Sequence, residues 1–426
     1  MSALVLKGGR IVDAAGERAG DVVVDTDTGR IVGVGTDLPG DRVLDASGCV
    51  VAPGLVDLHA HLRQPGREES ETVETGSRAA ARGGYTAVVA MPNTEPAIDS
   101  AGIVREVQEL ARAALCDVWP AGAMTVGRAG ARLAPMAEMA ALGVRLFTDD
   151  GNGVQDARLM RRALEYATGL GVVLAQHCED EALAVGGHMH EGAWSSRLGV
   201  PGQPAEAEEL MVMRDIALAR LTGGRVHFQH LSTAGSTAMV RAAKGGGLPV
   251  TAEATPHHFT LTDECCASYD PVFKVNPPLR SPLDVEAVKV ALADGTLDAI
   301  ATDHAPHQQE LKEHPFDQAP PGMVGLETAL ALALTELDLE LEAVLALLSW
   351  RPAAIAGLES EHGGPIEPGR PANLCVIDPA ATWVVQPERL ASRSRNTPFA
   401  GRKLTGRVRH TILRGEAVVI DGEPQR

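Results

Sequence analysis

The sequence predicts a (β/α)8 barrel of the TIM type, with a small β-sandwich domain built from both chain termini. Three observations carry this expectation. Both ends of the chain alternate short apolar runs with turns, the texture of strands. The middle alternates strand-like apolar runs with Ala-, Leu- and Glu-rich helical stretches, the signature of repeated β-α units. Several apolar runs of the middle end in His or Asp, and this architecture builds its sites at the carboxyl ends of its strands.

The strand-rich N-terminal part, residues 1–52, contains ALVLKGGRIVD, DVVVDTDTGRIVGVG and most of RVLDASGCVVAPG. Its counterpart, residues 363–426, contains ANLCVIDP, TWVVQP and GRVRHTILRGEAVVID. Residues 53–362 hold eight runs: GLVDLHAH, TAVVAMP, DVWPAGAMT, VRLFTDD, VVLAQHCED, RVHFQHLS, PVTAEATPHH and LDAIATDHAPH. Clear helices such as ARLMRRALEYATGL and AEELMVMRDIALARL follow some of them.

Composition narrows the function. With 45% hydrophobic and 22% charged residues the chain is globular rather than disordered. A formal charge of −18 argues against a nucleic-acid groove, although a local basic pocket for a small anion stays open. The opening MSALVLKGGRIVDAAG lacks the basic and apolar regions of a secretory signal. No apolar segment reaches the roughly 18–20 residues that span a bilayer. The six cysteines form no Cys-x-x-Cys pair and read as reduced thiols, so a cytoplasmic protein is expected.

The strand-end residues are His59 and His61, Asp150, His177, His230 and Asp303. His59 and His61 are two apart at a strand end and project from one face, which Asp57 shares as an expected outer hydrogen-bond partner. Four imidazoles and two carboxylates suit Zn²⁺, with Mn²⁺, Co²⁺ or Fe²⁺ less suited. Asp149 and Asp150 are adjacent, so alternation lets only one of them face a metal.

The other histidines read more blandly. Alternation turns His227 outward as a packing residue. His188 and His190 lie in a Gly-rich stretch and read as a solvated loop, and His362 and His410 read as surface residues of the tail. His257 and His258 end the seventh strand close to the expected site. Cys178, Cys265 and Cys266 read as packing, and the GRAG and GGG stretches as turns.

In order along almost the whole chain stand VDLHAHLRQPG (56–66), AMPNTEP (90–96), FTDDG (147–151), QHCED (176–180), HLSTAGS (230–236), TPHHFTLTDE (255–264), KVNPPLR (274–280), IATDHAPH (300–307) and PPGMVGLETAL (320–330). Together these resemble the amidohydrolase superfamily and, within it, the bacterial type I dihydroorotases. That resemblance implies a (β/α)8 enzyme for reversible hydrolysis of dihydroorotate to N-carbamoyl-L-aspartate in pyrimidine synthesis. It implies one or two Zn²⁺ per subunit, two favoured: His59, His61 and Asp303 on one, His177 and His230 on the other, Asp150 bridging, and Asp303 also the catalytic base. It further implies substrate contacts from Arg63, Asn93, Asn276 and His307 and from the backbone around Pro321 and Gly322. A guanidinium at position 63 suits the substrate carboxylate, its alternative being a structural ion pair.

A homodimer is expected on the same ground, and some type I members also dock aspartate transcarbamoylase. Neither nucleic acid nor a membrane is an expected partner. Type I members resemble this chain in bridging through aspartate rather than a carbamylated lysine, and ALGVRLFTDDG has no lysine. Gln64, Arg351 and Asn373 depart from the family pattern, outside the ligand set. Two other readings compete. An allantoinase or hydantoinase would follow the carbamyl-lysine pattern. A catalytically silent scaffold for the transcarbamoylase would have lost ligands that this chain retains.

Overall fold

Eight apolar runs fold as eight parallel strands, and the chain leaves each strand for a polar loop on one common side. The structure is a computed structural model and describes residues 2–426. The barrel strands, first to eighth, are Leu55–Ala60, Tyr85–Ala90, Asp117–Pro120, Leu146–Phe147, Val173–Gln176, Val226–Phe228, Val250–Ala254 and Ala299–Ile300. The first three pair in parallel, as do the last five. Two short bridges close the ring, Gly122↔Phe147 and Ala60↔His304. The second is anchored by His61 N–H donating to the His304 carbonyl at 2.8 Å.

Helices pack around the barrel for reasons visible in their sequences. Helix Ala157–Leu170 begins at Asp156, whose side chain accepts from Leu159 N–H, and ends at Gly171 in the left-handed region at φ 69°. It buries Met160, Ala163, Leu164 and Ala167, one stripe at helical spacing. Thr72, Thr233 and Ser281 cap the helices that follow the first, sixth and seventh strands in the same way. Gln64, a departure from the family pattern, accepts from Val73 N–H at 3.0 Å and supports the first of these starts.

Both termini build one hydrogen-bonded sheet of nine strands. Its junction is Val50–Pro53, which pairs in parallel with Ala3–Asp13 and antiparallel with Leu374–Val384. Leu4, Leu6, Val22, Val51, Leu374, Val376 and Ile412 share its core. Asn373 joins two connections there: its amide donates to the Glu361 carbonyl and its side-chain oxygen accepts from Arg414 N–H. Among the described residues no helix is long and apolar enough to cross a membrane.

Two expectations for the tail are corrected. His362 and His410 are each 1% exposed, not surface residues. His362 lies where the tail packs beneath the barrel, 3.1 Å from both Thr86 Oγ1 and Asp117 Oδ2. His410 Nδ1 accepts from Asp421 N–H at 3.1 Å. A strand pattern shows alternation but not which face another layer will cover.

Asp117 ties barrel to sheet, because Arg414 of the terminal sheet also binds its carboxylate. Burial raises the carboxyl's pKa, but His362 and Arg414 outweigh it and hold the group below the usual carboxylate range. Asp117→Asn should therefore cost about 1–3 kcal/mol near neutrality, the range for hydrogen bonds to charged groups. A lowered native pKa means that this stability is complete above the unfolded value of about 4 and fades as pH falls below it. Thermal melts of both proteins at pH 7 and pH 3.5 check this: the gap should narrow in acid.

Candidate active site

The polar side chains converge at the carboxyl ends of the strands. Asp150 is the hub. One of its oxygens lies 3.2 Å from His59 Nε2, 3.7 Å from His177 Nδ1 and 3.8 Å from His230 Nε2, and the other 3.6 Å from His61 Nε2. Asp303 Oδ1 stands 3.0 Å from His61 Nε2 and 3.5 Å from His59 Nε2. His177 Nδ1 and His230 Nε2 are 2.9 Å apart. All six expected ligands are thus in one cluster, and every one is buried. Asp149 points elsewhere and accepts from Thr125 N–H at 3.0 Å.

This donor set fits a metal. His59, His61 and Asp150 can each offer one atom to a common ion, as can Asp150, His177 and His230. His59 Nε2, buried at the centre of the cluster, has no hydrogen-bond partner. Against the cost of burial, the carboxylates favour the charged form of two of the rings, His59 and His177. Burial opposes charging of His177, yet Asp150 and Glu179 push its pKa up to about 10. Burial likewise opposes ionisation of Asp150, but the imidazoles around it hold its pKa well below the ordinary value.

The substrate candidates surround this cluster. Arg63 is 7% exposed, donates through Nε to the Pro306 carbonyl at 3.2 Å, and has no carboxylate at ion-pair distance among the described residues. Burial pulls its pKa down to about 10, still charged at neutral pH. His307 Nε2–H donates to the Pro321 carbonyl at 2.9 Å, and burial beside Arg63 and Lys312 takes its pKa down to about 2, so the ring is neutral. Gly322, at φ 134°, donates its N–H to the Lys274 carbonyl at 2.9 Å, and its own carbonyl accepts from Asn396. A Cβ there would stand 2.7 Å from the Ala305 side chain, so only glycine fits.

Two expected substrate residues also serve other groups. Asn93 Oδ1 accepts from His61 Nδ1–H at 2.8 Å, and its amide lies 3.5 Å from Asp150. Asn276 stands beside Glu179 and joins His177 and Gln203 in lowering that carboxyl's pKa to about 2 against burial.

Three readings of the strands are corrected. Asp57 does not share the face of the two histidines: its carboxylate accepts from Thr302 N–H and Oγ–H and from the His59 backbone. The register slips between Asp57 (opposite Val88) and Ala60 (opposite Ala90), and this bulge breaks the alternation. His227 is not an outward packing residue; it contacts Glu253 Oε2 at 3.0 Å and Thr251 Oγ1 at 2.9 Å. Counting back from His230 fails because that residue lies beyond the strand with φ 33°. His188 and His190 are not a free loop either, since Lys274 lies 3.4 Å from one and Arg280 3.2 Å from the other.

Sequence reasoning passed over several residues at the site. Glu253 reaches His59, and Lys312 donates to the Pro320 carbonyl at 2.8 Å and the Pro271 carbonyl at 3.0 Å. Asn396, from the tail, accepts from His307 N–H at 3.1 Å. Glu253 carried a signal, an acidic residue inside the apolar run VTAEA. Asn396 carried none, because its partner lies 89 positions away.

Comparison with known proteins finds relatives along almost the whole chain. A family model described as Dihydro-orotase-like matches residues 48–236. The dihydroorotase of Streptomyces coelicolor is 51% identical over 99% of this chain and 100% of its own. That of Pelotomaculum thermopropionicum is 49% identical over 98% of this chain and 99% of its own. Among solved structures, L-hydantoinase (dihydropyrimidinase) from Arthrobacter aurescens has a TM-score of 0.89 over 100% of this chain and 98% of its own, at 24% identity. That likeness establishes the shared barrel fold, while half-identical relatives matched from end to end establish the closer kinship: the chain belongs to the dihydroorotase family.

Proposed function

We propose that this protein interconverts dihydroorotate and N-carbamoyl-L-aspartate by opening and closing a cyclic amide at the barrel mouth. The observation that carries the substrate choice is Arg63. A buried guanidinium without a carboxylate partner, beside a cluster of metal-ligand type, invites the carboxylate of a small anion. The alternative role for Arg63, a structural ion pair, has no partner among the described residues.

Zn²⁺ held by His59, His61 and Asp303, and by His177 and His230, with Asp150 between, would supply a strong nucleophile at neutral pH and polarise the amide carbonyl. Two groups of buried ligand atoms, His59, His61 and Asp150 on one side and Asp150, His177 and His230 on the other, support two such ions.

The chain's own groups do the rest. Asp303 receives the proton of the attacking water at its carboxylate and delivers it to the ring nitrogen as the amide opens; closure runs the same transfer backwards. Burial resists ionisation of Asp303, but His59 and His61 hold its pKa far below the ordinary value, so it enters the reaction as a base. Arg63 fixes the substrate carboxylate, with Asn93, Asn276 and His307 adding polar contacts. The Pro321 and Gly322 carbonyls already accept from His307 and Asn396, and each keeps a second lone pair for the ring. Turnover of dihydroorotate compared with hydantoin and dihydrouracil tests the assignment; preference for either of the latter would reject it.

Chelation should abolish hydrolysis and Zn²⁺ should restore it, as followed by a dihydroorotate assay with metal analysis of the same samples. Full activity in metal-free protein would contradict the proposal. Loss of the bidentate contact in Arg63→Met should lower kcat/KM roughly 30- to 1000-fold, equivalent to about 2–4 kcal/mol, with Arg63→Lys recovering only part. Asp303→Asn keeps an oxygen ligand but no proton acceptor. Its metal content should fall little while kcat falls about 10²-fold or more, which steady-state kinetics beside metal analysis will separate.

A further inference from the structure

Behind the ligand cluster lies a row of buried polar groups that the reaction does not touch. Glu253, in the seventh strand, has no exposed surface and places one oxygen 3.1 Å from His59 Nδ1 and the other 3.0 Å from His227 Nε2. His227, in the sixth strand, is equally buried, and its Nδ1 stands 2.9 Å from Thr251 Oγ1. No other carboxylate is within ion-pair distance of His227 among the described residues.

The hydrogen bonds admit one consistent direction with both rings neutral. Thr251 O–H donates to His227 Nδ1, His227 Nε2–H donates to Glu253, and His59 Nδ1–H donates to the other oxygen of Glu253. That direction leaves His59 with its lone pair on Nε2, the atom that faces Asp150 and has no hydrogen-bond partner. Gln229 competes, because its amide nitrogen is 3.3 Å from His59 Nδ1 and as a donor would impose the opposite tautomer. The carboxylate is closer and charged, so its bond is the stronger. Gln229 is held instead through its oxygen, which accepts from Thr148 at 2.8 Å.

We propose that Glu253, itself oriented by His227, is a positioning residue that locks His59 in the tautomer and orientation needed to bind metal through Nε2. The inference rests on the reading of the cluster as a metal centre. It explains an ionisable residue in mid-strand, and it gives His227 a task beyond packing. A carboxylate behind a metal-binding imidazole makes the ring more basic, and its loss typically weakens metal affinity about 10- to 100-fold.

The test is a Zn²⁺ titration of metal-stripped full-length protein against a chromogenic chelator, with thermal melts of the metal-free forms. Glu253→Gln should weaken Zn²⁺ binding about 10- to 100-fold. His227→Gln, which leaves the carboxylate but removes its support, should weaken it by a smaller factor. A purely structural role would lower the melting temperature of the metal-free protein and leave Zn²⁺ affinity unchanged. Affinity within twofold of the unmodified protein in a folded Glu253→Gln therefore overturns the proposal. Should that variant not fold, unchanged affinity in His227→Gln overturns it equally. If the unmodified protein takes up no Zn²⁺, the metal-centre reading falls and this inference with it, whereas normal uptake with unaffected variants removes the inference alone.

Discussion

Charge taken out of water must be matched in place, and that constraint organises the whole barrel mouth. Asp150 and Asp303 are buried among imidazoles, with Glu253 and Glu179 close behind. Each buried ion carries a desolvation cost of several kcal/mol unless nearby groups repay it. Protons on the histidines offer partial compensation, and divalent cations offer it more fully while releasing those protons. Strand order, closing bridges and loop anchors all keep these groups within reach of one another. The chain accepts local strain to do so: Arg63, His230 and Asp303 stand at φ 60°, 33° and 43°, a region that side chains other than glycine's rarely occupy.

The tail takes part in the site as well as in the terminal sheet. Glu71, after the first strand, accepts from Ser392 Oγ–H, Thr75 Oγ–H and Arg393 N–H, and one of its oxygens lies 3.3 Å from His304 Nε2. A few residues on, Asn396 accepts from His307 N–H and donates to the Ala305 and Gly322 carbonyls. The stretch 392–396 thus fastens the loop that carries Asp303 and His307 to the loop that carries Gly322.

Much of this was legible in the residues, and the failures share one cause. The eight runs, their helices and the histidines and aspartates at the strand ends follow from periodicity and position, while the choice of Asp150 over Asp149 came from the family resemblance. Alternation assigned faces correctly to Asp149 and Asp150, which do point apart. It misplaced Asp57 and His227 because a bulge lies between Asp57 and Ala60 and a left-handed residue stands at His230. Periodicity assumes an uninterrupted strand, and sites are where strands are interrupted. The tail contributions were illegible for another reason. Arg414 meeting Asp117 and Asn396 meeting His307 are long-range contacts that no local pattern encodes.

The hydrogen bond that closes the ring, from His61 N–H to the His304 carbonyl, joins residues encoded far apart, and its neighbour, His61 to Asp303, spans 242 positions. Chains are synthesised from the N-terminus at about 5–20 residues per second, and contacts across long loops form late because closing the loop costs entropy. A ribosome-bound chain therefore displays His59 and His61 for many seconds before their eighth-strand partner exists. Assembly of the pocket is deferred until the ring shuts, so incomplete translation products cannot carry its finished form.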